Sequence, residues 1–514
     1  MPVASKYNVF VPISNVDGAA RFALFNLFAG SMDIVDDHVR DSLSRLSTPS
    51  PSGLVQISGI PFSNAVSADL EARTLPASVL EYLGRRGYLF ENHEEERLQS
   101  RLLYEEMLKF HRKIVRQPVV VVPTYNCDLK CPYCWQRLYH MDSPIISEDM
   151  VNRMFDSIPY VVDDIPRNGV DLTIFGGEPL QEIPELRKRI AQILNLAKQS
   201  GFEAQIITNG VGLESAVPLI ANKVECIQVT IDGPAEVHSR RRPLPKGESF
   251  TPMVRGVSEA LKAGIHVNVR VNADQTNLPT LPELVDFIGE QGWFEYADKL
   301  DLHIVPAKNH NPRKQTSSED ELLMSVLELR RRDNRMTIFK LDGFPGLKYF
   351  ESFRKSGLFP LHRFFNCEAQ INFILLDLHG DVYACWDAAG VKDLAVGRYN
   401  PDIKMYPDKL AQWRRRTALE IEGCTNCSAQ ATCGGGCQFL AYEHSGTFLA
   451  SDCDSLLTGY TQAIQEQSLW VLERATKRDH AIGYVTGEAV VHAIESDLGL
   501  IDAGIENEML LTYC

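Results

Sequence analysis

From Val119 to about Pro306 the chain alternates short apolar runs with amphipathic stretches of helix length, and this alternation constrains the fold more than any other feature of its 514 residues. The apolar runs are Val119 to Val122, Val170 to Phe175, Ala204 to Thr208, Cys226 to Ile231, Ile265 to Val271 and Leu300 to Val305. Between them lie helical patterns such as Glu185 to Ser200, where Ile190, Ile193, Leu194 and Ala197 share a face and Gly201 marks the stop. Strands joined through helices run parallel. The six units predict a parallel sheet, either doubly wound or curled into a partial barrel. Functional groups in such folds collect at the carboxyl ends of the strands.

The first strand end carries Thr124-Tyr125-Asn126-Cys127-Asp128-Leu129-Lys130-Cys131-Pro132-Tyr133-Cys134-Trp135. Cys127, Cys131 and Cys134 stand in a CxxxCxxC spacing on one loop, so three thiolates can converge on one metal centre. A cubane 4Fe-4S cluster bound by three thiolates keeps one iron open to an outside ligand, which suits a chemically active cluster. A zinc site or a set of core cysteines is the plainer alternative. With an aromatic residue, Tyr133, directly before the third cysteine, the motif resembles the signature of the radical S-adenosylmethionine (SAM) family.

Further strand ends carry polar groups. Phe175-Gly176-Gly177-Glu178-Pro179 ends the second run, where paired glycines permit close backbone approach and a glutamate can accept from an ammonium. Thr208-Asn209-Gly210 ends the third, Thr230-Ile231-Asp232-Gly233 the fourth, and His238 and Arg240-Arg241-Arg242 follow. Hydroxyl and carboxylate groups there suit a ribose and a carboxylate, and they are also ordinary turn chemistry. The resemblance implies that Gly176, Gly177 and Glu178 bind the SAM amino group. It also implies that Arg242 meets the SAM carboxylate with Thr230 as hydroxyl partner, and that Tyr133, Thr208, Asn209 and Asp232 complete the SAM site. Arg270, on the fifth run, is either a further contact or a charge paired inside the barrel.

A second field of cysteines follows the barrel: Cys367, then Gly380 with four residues between it and Cys385, then Cys424, Cys427, Cys433, Cys437 and Cys453. Zinc and iron-sulfur clusters are both admissible for such spacings. The pattern resembles the auxiliary-cluster extension called SPASM, found after the radical SAM core in peptide- and protein-modifying enzymes. That resemblance implies an outer cluster on Cys424, Cys427, Cys433 and Cys453, and leaves Cys367, Cys385 and Cys437 for an inner one. The inner site then has an open iron, a ligand other than cysteine, or room for a substrate thiol. Asp387 is the nearest acid and the one candidate for a catalytic acid or base. Sulfatase-maturing relatives carry an aspartate directly after the cysteine matching Cys385, whereas Trp386 intervenes here; a one-residue shift turns a strand side chain to the other face, so Asp387 reads as structural. Cys226 reads as a core residue and Cys514 as a chain-end thiol.

The remaining segments frame these sites. Residues 1–105 read as a small winged-helix-like α+β domain, with strands at Tyr7 to Ile13 and Arg21 to Phe28, a helix from Asp36 to Leu46, a Ser/Pro-rich loop from Ser47 to Gly53, and a helix from Ala77 to Arg86 before Tyr88-Leu89-Phe90. Its element order is similar to leader-peptide recognition domains, where a peptide pairs with a sheet edge; a structural cap is the alternative. Asn92 to His111 reads as a connecting helix, 106–335 as the partial (β/α)6 barrel, 336–455 as an irregular SPASM domain and 456–514 as a helical extension.

A net charge of −15 argues against nucleic acid and anionic membranes as main partners, and no signal peptide or membrane span is legible, so a cytoplasmic location is expected. Twelve cysteines in such a compartment point to metal ligands rather than disulfides. The resemblance implies three 4Fe-4S clusters, SAM cleaved reductively to a 5'-deoxyadenosyl radical, and a one-electron donor such as flavodoxin or ferredoxin. The expected substrate is a ribosomally made precursor peptide that is crosslinked or similarly modified. Formylglycine formation on a sulfatase is the alternative, and a non-catalytic iron-sulfur or zinc peptide-binding scaffold is the alternative of another class.

Overall fold

In the computed structural model, which describes residues 2–13, 20–47, 75–138, 143–162, 169–308, 318–356, 362, 364–453, 455–475 and 482–492, the chain begins with strands. These are β1 (Val3–Ala4), β2 (Asn8–Ile13), β3 (Arg21–Asn26) and β4 (Ser31–Asp36). Asp36 then caps α1 (Asp37–Leu46) by accepting from the Val39 amide. α2 (Ala77–Arg85), β5 (Leu89–Phe90) and the long connecting α3 (His93–Ile114) follow. Residues 48–53 of the Ser/Pro-rich loop and Cys514 lie outside the described residues.

The six apolar runs form β6 (Gln117–Val122), β7 (Val170–Ile174), β8 (Glu203–Thr208), β9 (Cys226–Thr230), β10 (His266–Ala273) and β11 (Leu300–Pro306). They pair in parallel and in chain order, β6 through β11, as the carboxyl-end argument requires. The intervening helices are α4 (Glu148–Val161), α5 (Pro184–Gln199), α6 (Leu213–Ile220), α7 (Ala235–Arg241), α8 (Phe250–Lys262) and α9 (Leu281–Glu290), with α10 (Glu319–Arg332) after the last strand. The sheet stays open, a partial rather than a closed barrel. Alternation along β10 sets its two faces: Val267, Val269 and Val271 sit in the main core, while Asn268, Arg270 and Asn272 point the other way. Register aligns Arg270 with Thr230 on β9 and His303 on β11.

Beyond α11 (Pro345–Ser356), the cysteine-rich region adds β12 (Ile374–Asp377), β13 (Asp381–Tyr383), β14 (Gly397–Arg398) and β15 (Lys404–Met405), then α12 (Pro407–Arg414), α13 (Gln430–Cys433) and α14 (Gln438–Ser445). β12 pairs in parallel with β6, so the auxiliary region continues the barrel sheet into a ten-stranded whole. Cys385, two residues past β13, is thereby tied to the same sheet as the first motif.

The segment after residue 455, which reads mostly as helix, also contributes strands. α15 (Leu456–Glu466) and α16 (Ser468–Ala475) are helices, but β16 (Ile482–Val485) and β17 (Val490–His492) are strands. β16 pairs in parallel with β4, which gives a five-stranded sheet of order β17-β16-β4-β3-β2. Ile482 and Val485 are buried there, and the β-branched and aromatic side chains of Ile-Gly-Tyr-Val suit a strand whose partner lies 450 positions away. Among the described residues no helix is long and apolar enough to cross a membrane.

Candidate active site

The first cysteine loop leaves β6 and is zipped against the turn after β7. Gly177 N–H donates to Thr124 O at 3.0 Å and Glu178 N–H to Asn126 O at 2.9 Å. Both glycines are needed for this approach. A Cβ on Gly176, whose φ is +146°, would lie 2.2 Å from Thr124 O, and one on Gly177 would lie 2.2 Å from Asn126 O. The Gly-Gly pair is therefore a fitting between two loops, and Lys130 N–H to Pro243 O at 2.9 Å ties the same cysteine loop to the segment after α7.

Cys127, Cys131 and Cys134 are free thiols, half-buried, buried and half-buried in turn. Burial pushes the Cys127 thiol up, and the nearby Glu178 and Asp128 carboxylates add to it. Burial also raises Cys131, against the pull of the Arg242 guanidinium. Anionic sulfur is thus costly here unless a cation neutralises it, which is what coordinated iron does. Three thiols on one loop, interacting electrostatically in sequence, fit a cluster with one open position. Among the described residues no three His, Cys, Asp or Glu side chains are gathered closely enough to hold a single metal ion.

The expected SAM residues separate into two groups. Glu178 is fully buried and turned inward. Its Oε1 accepts from Thr208 Oγ1 at 2.6 Å and Leu180 N–H at 2.7 Å, and its Oε2 accepts from Asn209 N–H at 2.5 Å. The carboxylate is committed to holding the ends of β7 and β8 together, and burial, with Asp128 adding, pushes its pKa up to about 7. Asn209 in turn donates through Nδ2 to Asp128 Oδ1 at 2.6 Å, which braces the residue next to Cys127.

The second group faces the cysteine loop from β9 and β10. Asp232 is fully buried and accepts from the Tyr133 hydroxyl at 2.5 Å and from Asn272 N–H at 3.1 Å. Arg242 Nη1 donates to the Tyr133 hydroxyl at 2.6 Å, while its buried Nε has no partner among the described residues. Arg241 donates to Asp274 at 2.6 Å and to Asn272 O at 3.0 Å and lies over the Tyr133 ring at 5.3 Å, so it meets the cysteine loop through the ring face while Arg242 meets it through the hydroxyl. Thr230 is buried at the end of β9. Arg270, beside it, donates through Nε to Asn272 Oδ1 at 3.0 Å and feels both Asp232 and Asp387. It therefore stands between the first motif and the auxiliary region.

The auxiliary cysteines are also free thiols. Cys367, Cys385 and Cys437 act on one another electrostatically, with burial pushing Cys367 up to about 11. Cys424 is pushed up to about 12 by burial and then by Cys427 and Cys453. Asp387 is buried despite the intervening Trp386, and its Oδ2 accepts from Lys308 Nζ at 2.6 Å. Trp386 packs edge-on against Phe175, 5.0 Å between centroids, joining the inner site to the strand that leads into Gly176.

Three residues of this region carried no sequence signal. Arg416 is buried without a carboxylate partner and donates to Phe448 O at 2.7 Å, Gly435 O at 2.8 Å, Gly436 O at 3.0 Å and Ala450 O at 3.0 Å. Cys424, Cys433, Cys367 and Cys437 all favour its charge, so it lies between the two auxiliary sites. Lys6, from the N-terminal sheet, donates to Thr425 O and to Gln430 Oε1, both at 2.7 Å, on the loop between Cys424 and Cys433. Lys308 is the third. Isolated basic residues in polar stretches look like ordinary surface charges, and only the fold brings these together.

The Radical SAM superfamily model matches residues 121–288. An uncharacterized protein of Archaeoglobus fulgidus is 22% identical over 364 residues, 68% of this chain and 80% of its own length. Pre-heme d1 synthase of Dinoroseobacter shibae is 24% identical over 369 residues, 66% of this chain and 87% of its own. Among solved structures, native anSMEcpe with bound AdoMet and Cp18Cys peptide superimposes with a TM-score of 0.51 at 16% identity, over 70% of this chain and 99% of that one, a likeness of fold.

Proposed function

Residues 121–288 form a radical SAM domain, and on that premise we propose that this chain abstracts a hydrogen atom from a carbon of a peptide and so crosslinks or otherwise modifies it. The observation carrying the reading is the pair of zipped loops, three free thiols on one and Gly176-Gly177 on the other, with Arg242 facing them across Tyr133. Cys127, Cys131 and Cys134 would hold the SAM-site cluster. Cys367, Cys385 and Cys437 would hold an inner auxiliary cluster, and Cys424, Cys427, Cys433 and Cys453 an outer one, three clusters in all. Bound together, a 4Fe-4S cluster and SAM supply hydrogen-atom abstraction, with an electron from a donor such as flavodoxin or ferredoxin.

The chain's own residues orient and enclose. Arg242 presents a guanidinium suited to a carboxylate, and Asp232 fixes the Tyr133 ring that borders the third thiol. Glu178, Thr208 and Asn209 hold two strand ends in register beside the three-thiol loop. A peptide substrate is supported by β2, the edge strand of the N-terminal sheet among the described residues and a template for strand addition, and by the peptide found with a protein of the same fold. Formylglycine formation is a second reading, favoured by Asp387, which lies against Cys385 and Cys437 even with Trp386 inserted.

The test is anaerobic reconstitution with iron and sulfide, followed by incubation with SAM, a reductant and short peptides encoded beside the gene. 5'-Deoxyadenosine should form, and one peptide should change in mass. Deoxyadenosine formation that no peptide accelerates would sink the peptide reading while leaving the radical one.

A further inference from the structure

The inner auxiliary site receives an ammonium from outside its own region. Lys308 lies two residues past the end of β11, at the mouth of the barrel, and its Nζ donates to Asp387 Oδ2 at 2.6 Å. Asp387, two residues beyond Cys385, is itself 4% exposed. The same ammonium acts electrostatically on all three inner thiols, Cys367, Cys385 and Cys437. Arg416 also acts electrostatically on Cys367 and Cys437, as do the acids Glu368 on Cys367 and Asp452 on Cys437. Lys308 is thus a charge that the end of the barrel contributes to the set.

Adding one electron to a cluster makes it more negative, so a fixed cation nearby favours the reduced form and a fixed anion disfavours it. Asp387 both opposes that effect and holds the lysine in place. The outer site has an ammonium of its own: Lys6 Nζ is held by a carbonyl and an amide oxygen, and the buried Glu96 carboxylate acts on it as Asp387 acts on Lys308. One ammonium reaches each auxiliary site from a different part of the chain.

We infer that the Lys308–Asp387 ion pair sets the reduction potential of an inner iron-sulfur cluster on Cys367, Cys385 and Cys437, with Lys308 raising it and Asp387 lowering it. The inference rests on the reading above, in which those three thiols hold a cluster. It makes Lys308 a positioning and tuning residue rather than a catalytic one, and it links the potential of the inner site to the conformation of the barrel mouth.

Anaerobically reconstituted full-length protein, titrated with dithionite and followed by electron paramagnetic resonance, tests it; the SAM-site cluster is identified by the response of its signal to SAM. Lys308→Met should shift the inner couple negative by about 59 mV, a tenfold change in the oxidised-to-reduced ratio at fixed potential. Lys308→Arg should restore it. Asp387→Asn should shift it positive, and the double variant Lys308→Met/Asp387→Asn should return close to the parent. Opposite signs from the two single variants separate charge from loosened packing, which would move both the same way. Lys6→Met should move the outer couple and leave the inner one in place. If Lys308→Met does not fold, the positive shift of Asp387→Asn and the unchanged potential of Lys308→Arg still decide. A cluster present with no shift, or with shifts of one sign, overturns the inference alone. Reconstituted protein without an inner cluster signal overturns it together with the reading beneath it.

Discussion

The barrel sheet and the N-terminal sheet are built in opposite ways. β6 to β11 pair in the order in which they occur, each strand beside its predecessor, within residues 117–306. The N-terminal sheet takes three strands from residues 8–36 and completes itself with two from residues 482–492. One is assembled by local crossovers and the other by closure of nearly the whole chain. Each is nevertheless pinned by a buried aspartate. Asp232 holds Tyr133 and β10 in the barrel; Asp33 accepts from Arg86 Nε at 2.8 Å, Tyr82 at 2.7 Å and Tyr88 at 2.5 Å in the N-terminal sheet. The three-thiol loop and the Gly-Gly turn sit in the locally assembled part, while the part closed by the chain ends touches the cysteine-rich region through Lys6.

The largest effect should come from removing the chemistry without touching either sheet. Cys127→Ala/Cys131→Ala/Cys134→Ala should abolish SAM cleavage while iron content falls from about twelve to about eight atoms per chain, since seven auxiliary thiols remain. Iron analysis and deoxyadenosine yield measure this. A complete loss of iron would mean that the auxiliary sites depend on the first loop and that the division of labour is wrong.

Next in size is the N-terminal anchor. Asp33→Ala leaves the Arg86 guanidinium buried without its partner, and breaking such a pair costs about 3–5 kcal/mol. Chemical denaturation should show an early transition for the N-terminal sheet, with SAM cleavage persisting below it. A single cooperative transition shifted as a whole would show that the two sheets stand or fall together. Gly177→Ala is the barrel counterpart. Its Cβ meets Asn126 O at 2.2 Å, and the overpacking should cost about 1–3 kcal/mol and weaken SAM binding, read by calorimetry.

These differences follow what was legible. The barrel strands could be read because each is an apolar run followed by an amphipathic helix, so periodicity alone places them. The three first-motif cysteines and the Gly-Gly turn could be read because spacing on one loop fixes their proximity. β4 was harder, since Ser31-Met-Asp-Ile-Val-Asp carries the buried Asp33 that only Arg86, Tyr82 and Tyr88 make tolerable. β16 was read as helix because its partner lies at the other end of the chain. For Glu178 the motif placed the residue at the right turn, while the direction of its carboxylate depended on Thr208 and Asn209 from the next strand. Lys6, Lys308 and Arg416 acquire meaning only from sulfurs far away in sequence.

The smallest effect tests whether the barrel site responds to acid on its own. His238 is fully buried below Asp232, its Nδ1 accepting from the Asp232 N–H at 3.4 Å, and burial, aided by the Arg242 guanidinium, pulls its pKa from 6.5 down to about 3. The unfolded chain therefore binds a proton at this residue below pH 6.5 that the folded chain refuses. Its contribution to stability is fully present above that pH and is lost progressively as pH falls toward 3. Between pH 6.5 and about 5.5 the loss amounts to ~1 kcal/mol. His238→Gln, which cannot protonate, should flatten the pH dependence of unfolding over this window by that amount, whatever its constant cost in packing against Phe250. Thermal denaturation at several pH values, compared with the parent, reads the slope. Equal slopes would place the acid sensitivity elsewhere, and a flattened slope confined to the barrel transition would show that its site and the N-terminal sheet titrate separately.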